Sequence, residues 1–259
     1  MEPPISPLIF SGVLFVGMFL LLEIGRRLGV SRKPGESEPE RSNLGTVEAA
    51  VFALFGLLVA FTFSGAALRF NEKRMLIADE ANAIGTAYLR LHLVAQHAQP
   101  ELRELFRQYV DSRLETYRKM PNMEAAAIEI SKSEQFQQQI WEKAVAATAL
   151  PKSHSDAGKL LLPALNSMID ITTTRMMALQ AHPPNIIYGL LFVLGLLCSL
   201  LVGYRMATGQ HRSWLHILSF VVITVTIVFV ILDVEYPRAG LFRLEASDQV
   251  LVHVRESMR

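Results

Sequence analysis

The 259-residue sequence has one cysteine and few charged residues. Asp, Glu, Lys and Arg make up 19% of it, below the roughly 25% of a soluble domain. The lone Cys198 excludes a disulfide framework and a thiolate metal cluster. The net charge of +1 predicts no nucleic-acid partner. The sequence also lacks a glycine-rich phosphate loop, a nucleophile elbow and a His-Glu-x-x-His motif. We therefore expect neither an enzyme nor a bound cofactor.

The histidines predict no metal site either. His92 and His97 are five residues apart, as are His211 and His216. Side chains stack on one helix face at a spacing of three or four residues, not five. No metal ion is therefore expected.

Hydrophobic residues form 51% of the chain and concentrate in four blocks, at 7–22, 47–68, 186–203 and 214–232. A bilayer is crossed by about 20 mainly apolar helical residues, so we predict four transmembrane helices. The alternative for the first block is a cleaved signal peptide. Its N-terminal flank has no positive charge and no small-x-small cleavage site follows it, so we expect a retained span.

Four spans place both termini and the segment 69–185 on one side of the membrane. The polar linker 24–46 and the short connection 204–213 then lie on the other side. Lys and Arg close to the membrane are nearly balanced between the two sides, so the positive-inside rule assigns no absolute orientation.

The segment 69–185 predicts a soluble helical domain inserted between spans 2 and 3, which makes the fold all-α. Phe70, Ile77, Ile84 and Leu91 recur every seven residues, so we expect span 2 to continue as one helix of about 75 Å, to about His97. Further amphipathic helices are expected at 100–119, 122–150 and 155–181, packed as a bundle. The domain organisation is thus 1–68, 69–185, 186–232 and a tail 233–259, which docks on the helical domain or lies at the bilayer surface.

Span 2 has two neighbouring stripes when its residues are placed at 100° intervals. Small side chains form the first, and such stripes let helices approach closely in lipid. Larger apolar side chains form the second, for which two interpretations are open: intramembrane packing, or a constriction that gates a pore by dewetting. The helix-packing residues are Ala49, Ala53, Gly56, Ala60, Ser64 and Ala67, and the pore-lining candidates are Phe52, Val59 and Phe63.

Charged side chains follow the ends of spans 2 and 4, which parity places on one side of the membrane. Ion pairs between the two groups are the favoured interpretation. A polar stripe further along the extended helix is either the lining of an aqueous vestibule or a solvated or interhelical face. The membrane-mouth charges are Arg69, Lys73, Arg74, Asp233, Glu235 and Arg238, and the vestibule candidates are Asp79, Asn82, Thr86 and Arg90.

Span 2 ends in Phe61-Thr62-Phe63-Ser64, and the run Arg69-Phe70-Asn71-Glu72-Lys73-Arg74 follows. These residues resemble the segment after the second membrane helix of bestrophin anion channels. The run 79–90 and the run Asp233-x-Glu235-x-Pro237-Arg238-x-Gly240 are similar to a bestrophin-like family of bacterial four-span membrane proteins.

This resemblance implies a pentamer with a central ion pathway lined by span 2. It also implies a bacterial inner membrane protein whose residues 69–185 and termini are cytoplasmic. The calcium-binding acidic cluster of animal bestrophins has no equivalent here, because Asp233 and Glu235 are only two carboxylates and calcium takes six to eight oxygen ligands.

Two functional hypotheses follow. The first is an oligomeric bestrophin-like channel for small anions such as chloride, with a pore lined by span 2 and with the lipid bilayer and further copies of the chain as partners. The alternative is a non-conducting membrane scaffold or sensor whose helical domain binds a protein partner.

Overall fold

The computed structural model describes residues 6–32, 38–120, 122–207, 214–236, 241 and 245–258; side chains are described for these except at 32, 38–44, 123 and 245–247. Within these residues the chain is helical and contains no strand, as predicted. Eight α-helices lie within the described ranges, namely α1 (Pro7–Arg32), α2 (Glu38–Leu89), α3 (Gln99–Lys119), α4 (Met123–Thr148), α5 (Ala157–Gln180), α6 (Asn185–Met206), α7 (Trp214–Glu235) and α8 (Glu245–Ser257).

Two compact units divide the chain. Unit 1 comprises 1–68 and 182–241, and unit 2 comprises 69–181 and 242–259. Helix α2 contributes its first part to unit 1 and the remainder to unit 2 without interruption. The predicted continuation of span 2 into a long helix is therefore confirmed.

Unit 1 is built on a close backbone contact between α1 and α6. A Cβ atom added at Gly25 would lie 2.0 Å from the carbonyl oxygen of Leu200, and one added at Gly203 would lie 2.1 Å from that of Leu22. Only glycine leaves room for such an approach, and small residues are the usual means of close helix packing in lipid. Helix α7 completes the apolar core, in which Val221 and Val228 are fully buried.

Unit 2 is a helical bundle around a continuous apolar core. The heptad positions Ile77, Ile84 and Leu91 are at most 1% exposed, which agrees with the amphipathic pattern. Helix α4 starts where the sequence provides a cap, since Asn122 Oδ1 accepts a hydrogen bond of 3.1 Å from the backbone N–H of Ala125. This is the usual way to satisfy a donor of the first helical turn.

The structure corrects the predicted end of α2. The helix ends at Leu89 rather than near His97, and a 3₁₀ turn spans Arg90–Leu93. The segment after it bonds to the loop before α5 instead of continuing the helix. The backbone N–H of Ala95 donates to Ser153 Oγ at 2.8 Å, and that of His154 donates to the Leu93 carbonyl at 2.8 Å.

Helix covers most of the predicted polar linker 24–46. Helix α1 continues to Arg32, and α2 begins at Glu38. Pro39 falls in the first turn of α2, where a missing N–H breaks no helical hydrogen bond.

The C-terminal tail occupies one of its two predicted locations, the helical domain. Helix α8 belongs to unit 2, and Leu251 is fully buried in the core of the bundle. Arg255 Nε lies 2.8 Å from Asp111 Oδ1 on α3, and Arg107 Nη1 donates to the carbonyl oxygen of Met258 at 3.3 Å. The C-terminal helix therefore docks on the helical bundle.

Candidate functional site

Within unit 1, α2 buries a narrow face and leaves its small side chains on the surface. Phe55 and Ala66 are 8% and 1% exposed, whereas the predicted packing stripe lies on the other side of the helix. A Cβ atom added at Gly56 would meet nothing within 4 Å. Five of the six stripe residues are exposed, namely Ala49, Ala53, Gly56, Ala60 and Ser64, and Ala67 is half-buried.

The three pore-lining candidates occupy different surroundings. Phe52 is half-buried and packs edge-to-face on Phe220 of α7, with ring centroids 6.2 Å apart. Val59 is half-buried against the core of unit 1. Phe63 is 46% exposed. Intramembrane packing thus accounts for a large part of the surface of Phe52 and Val59, and Phe63 is the candidate whose ring is most open.

The vestibule candidates lie on the surface of unit 2. Asp79, Asn82 and Thr86 are exposed. Arg90 is half-buried, and its Nη1 donates a 2.6 Å hydrogen bond to the carbonyl oxygen of Leu160. Three of the four polar side chains therefore remain accessible along α2, whereas the fourth is fixed to α5.

The membrane-mouth charges differ in exposure. Arg74 is exposed and Arg69 is half-buried, while Lys73 is only 5% exposed and lies within unit 2. Arg238 lies outside the described residues. The predicted ion pairs between the charges after span 2 and those after span 4 stay a prediction.

The two carboxylates at the end of α7 are buried and hydrogen-bonded. Asp233 accepts two hydrogen bonds, of 2.8 and 2.9 Å, from the backbone N–H of Leu241. Glu235 Oε1 lies 3.0 Å from Nδ1 of His182, whose ring stacks on Tyr236 with centroids 4.6 Å apart. The partial exposure of His182 makes it the accessible side of this group.

A buried group of charged side chains lies in unit 2 and was not predicted. Glu80 on α2 is fully buried between Arg113 of α3 and Arg175 of α5, which are 1% and 3% exposed. Arg113 Nε lies 2.6 Å from Glu80 Oε1, and Arg175 Nη1 contacts Glu80 Oε2. The hydroxyl of Tyr117 donates to Glu80 Oε2 at 2.9 Å. We call these four side chains the Glu80 cluster.

The aromatic ring of Tyr117 also helps to hold the two guanidinium groups of this cluster. The carbon atoms Cζ of Arg175 and Arg113 lie 3.8 and 4.9 Å from the ring centroid, within the range of a cation–π interaction. The carboxylate of Glu80 and the ring of Tyr117 thus each contact both buried guanidinium groups. Charged side chains are almost never fully buried without such partners.

Electrostatics keeps the cluster ionised. Burial by itself raises the pKa of Glu80, but the neighbouring Arg113 and Arg175 outweigh burial and hold that pKa below its ordinary value. Burial raises the pKa of Tyr109, beside the cluster, to about 12, and burial together with Glu80 raises that of Tyr117 further. At neutral pH Glu80 is therefore a carboxylate, and both tyrosines are neutral; Tyr117 donates to Glu80, and Tyr109 accepts from Gln137 Nε2 at 3.2 Å.

A signal for this cluster exists in the sequence. Glu80 lies three residues after Ile77 and four before Ile84, and Arg113 lies four after Tyr109 and four before Tyr117. Each is a charge on an otherwise apolar helix face. Opposite charges on two such faces indicate a buried ion pair, because an unpaired buried charge is strongly destabilising.

Among the described residues, four helices are long and apolar enough to cross a bilayer. They define a polytopic helical membrane protein. The family model for the bestrophin-like domain matches residues 11–248. The chain belongs to the bestrophin-like family, which confirms the resemblance seen in the sequence. No curated protein and no solved structure matches the chain.

Proposed function

We propose that the protein is a homo-oligomeric ion channel that conducts small anions such as chloride along a pathway lined by α2. The family resemblance supports a pentamer in the bacterial inner membrane, with unit 2 and both termini in the cytoplasm. The proposal assigns conduction and no catalytic reaction.

The observation that carries the proposal is the open surface of α2. Only 11% of the most apolar 18-residue stretch of α2 is buried within the chain, whereas the same fraction is 28%, 39% and 33% for the other three candidate spans. The open face presents Ala53, Gly56 and Ala60. Side chains of this size let copies of one helix approach closely, as they must around a shared axis.

Phe63 is the residue that we assign to the constriction. Because Phe52 and Val59 pack partly within their own unit, Phe63 is the candidate with most surface left to line a pathway. An apolar ring of such side chains opposes wetting and so gates ions. Beyond it, the exposed Asp79 and Asn82 of α2 are assigned to an aqueous vestibule.

Chloride flux from liposomes containing the purified protein tests the proposal. We expect flux above that of empty vesicles, and a higher flux in Phe63→Ala because the apolar constriction widens. Phe61→Ala is the matched control, since Phe61 is 67% exposed two residues away and points about 160° from Phe63 around the helix. It should conduct like the unmodified protein.

Native mass spectrometry provides an independent readout, the number of subunits. A pentamer agrees with the proposal. A monomer that gives no chloride flux contradicts it, and would favour the scaffold or sensor whose helical domain binds a protein partner.

A further inference from the structure

The side of α2 that unit 2 leaves open has a seven-residue repeat. Met75 and Leu89 are 60% and 70% exposed, and the exposed Asn82 lies midway between them in the sequence. Ala78 is also exposed, and a Cβ atom added at Gly85 would meet nothing within 4 Å. These five residues have the spacing of the contact positions a and d in a coiled coil, with Met75, Asn82 and Leu89 at a. We call them the α2 seam.

The buried side of α2 agrees with this assignment of positions. In a coiled coil, position f lies on the side of the helix opposite to positions a and d. In α2 the f positions are Lys73, Glu80 and Ala87, which are 5%, 0% and 0% exposed. The helix therefore packs into its own bundle through one face and presents the opposite face to a second partner.

The charges beside the seam are complementary between two copies of the chain. Arg74 and Asp79, at positions g and e, are both exposed, and neither has an ion-pair partner among the described residues. When two helices of a coiled coil run parallel, position g of one lies beside the e position five residues further along the other. Arg74 of one copy then lies beside Asp79 of the neighbouring copy. Copies inserted with the same topology in one membrane have parallel α2 helices, so they meet this condition.

The composition of the seam favours a copy of the same helix over an unrelated partner. An asparagine at position a of a coiled coil sets the register and the number of strands at a cost in stability, because it needs a polar partner at the same level. Asn82 of a second copy is such a partner. Met75 and Leu89 then supply apolar contact on either side of it.

We propose that neighbouring copies of the chain join within unit 2 through the α2 seam, parallel and in register, with an ion pair between Arg74 and Asp79 at each contact. The inference rests on the homo-oligomer of the proposed function but requires no conduction. In a ring of copies the seam also borders the shared axis, which agrees with the vestibule assigned to Asp79 and Asn82.

Cross-linking of the purified full-length protein in liposomes tests the seam. Because Cys198 is the single cysteine of the chain, Asn82→Cys in a Cys198→Ala background carries one thiol. A short bismaleimide should convert most of this variant into covalent dimers on a denaturing gel. Gln138→Cys in the same background is the matched control, since Gln138 is exposed on α4 of the same unit, and it should stay monomeric. Equal yields in the two variants overturn the proposal.

Charge reversal in the cross-linking variant tests the ion pair. Arg74→Glu faces Asp79 of the neighbouring copy with a second carboxylate and should lower the yield of dimers several-fold, and Asp79→Arg should lower it likewise. The two changes together restore an ion pair with exchanged charges and should restore the yield. This recovery cannot arise from misfolding of the single variants. Unchanged yields in both single variants, or no recovery in the double variant, overturn the proposal.

Chloride flux from the same liposomes separates the seam from the proposed channel. Cross-linking with charge-reversal recovery but without flux keeps the seam and rejects the channel. Flux together with an oligomer in native mass spectrometry, but without cross-linking at Asn82→Cys, keeps the channel and rejects the seam.

Discussion

Replacing Glu80 by glutamine should destabilise the protein more than almost any other isosteric change in unit 2. Glu80 is the carboxylate on which both Arg113 and Arg175 rely, and all three side chains are at most 3% exposed. Glutamine keeps the volume and one acceptor oxygen but removes the negative charge. Two buried guanidinium groups then lose the carboxylate that both contact.

Removing one partner of a buried ion pair typically costs about 3–5 kcal/mol, because the charge that remains is uncompensated. The retained amide oxygen still accepts a hydrogen bond, so we expect the lower end, about 3 kcal/mol. For a chain of this length that corresponds to a fall in melting temperature of roughly 6 °C. Arg175→Met should cost less, since Glu80 then keeps Arg113 and Tyr117 as partners.

The assay can report on unit 2 alone. The two tryptophans of the chain are Trp141 in unit 2 and Trp214 in unit 1, and Trp141 packs against the core of the bundle. In a Trp214→Phe background, tryptophan fluorescence therefore follows the unfolding of unit 2.

Glu104→Gln is the matched control for Glu80→Gln, because Glu104 pairs with Arg107 on an exposed helix face. It should melt like the parent. If Glu80→Gln melts with Glu104→Gln, the carboxylate is not what compensates the two arginines. If Arg175→Met is more damaging than Glu80→Gln, the assignment of Glu80 as the shared partner is wrong.

Three further predictions concern pH and packing. Because the folded-state pKa of Glu80 is lowered, the stabilisation that its carboxylate provides is complete at neutral pH and is lost as pH falls below about 4.5. The melting temperature of Glu80→Gln, followed by the fluorescence of Trp141, should therefore fall less on acidification than that of the parent protein. Gly203→Ala should abolish the monodisperse peak in size-exclusion chromatography, since its Cβ atom would lie 2.1 Å from a carbonyl oxygen. Gly12→Ala should keep that peak, because its Cβ atom would meet nothing within 4 Å. Leu251→Ala should lower the free energy of unfolding by about 2–5 kcal/mol and speed proteolysis of α8, because Leu251 is fully buried. Val250→Ala is the control, since Val250 is 41% exposed. Equal rates of proteolysis in the two variants would contradict the docking of α8.

The positions and ends of the helices in unit 2 could be predicted closely, because the period of the apolar residues indicates directly which face of each helix is buried. The helix expected at 122–150 is observed as Met123–Thr148, with Asn122 as its cap. The end of α2 could not be predicted, since Ala95 turns toward Ser153, a contact between residues 58 apart in sequence. The Glu80 cluster was missed for the same reason, because Glu80 and Arg175 are 95 residues apart.

The surfaces of span 2 show a different limit. The sequence places the small stripe and the phenylalanine stripe side by side on the helix, but it gives no measure of which stripe the rest of the chain covers. That depends on where α7 lies, since Phe220 takes part of the surface of Phe52. A helical wheel therefore ranked Phe52, Val59 and Phe63 equally, whereas their exposures separate them.

Helix α2 keeps one side buried over its length, in both units. Buried positions recur every eleven residues, which is close to three helical turns and so returns to nearly the same face. These are Phe55, Ala66, Ile77 and Tyr88. Exposed positions recur with the same period on another face, at Ala53, Ser64, Met75 and Thr86. Each unit thus leaves one face of α2 open. The open face in unit 1 is apolar and the open face in unit 2 is mainly polar, so bilayer and water respectively suit them. The small side chains of the apolar face let copies of one helix approach closely, which is why we place the proposed pore on α2.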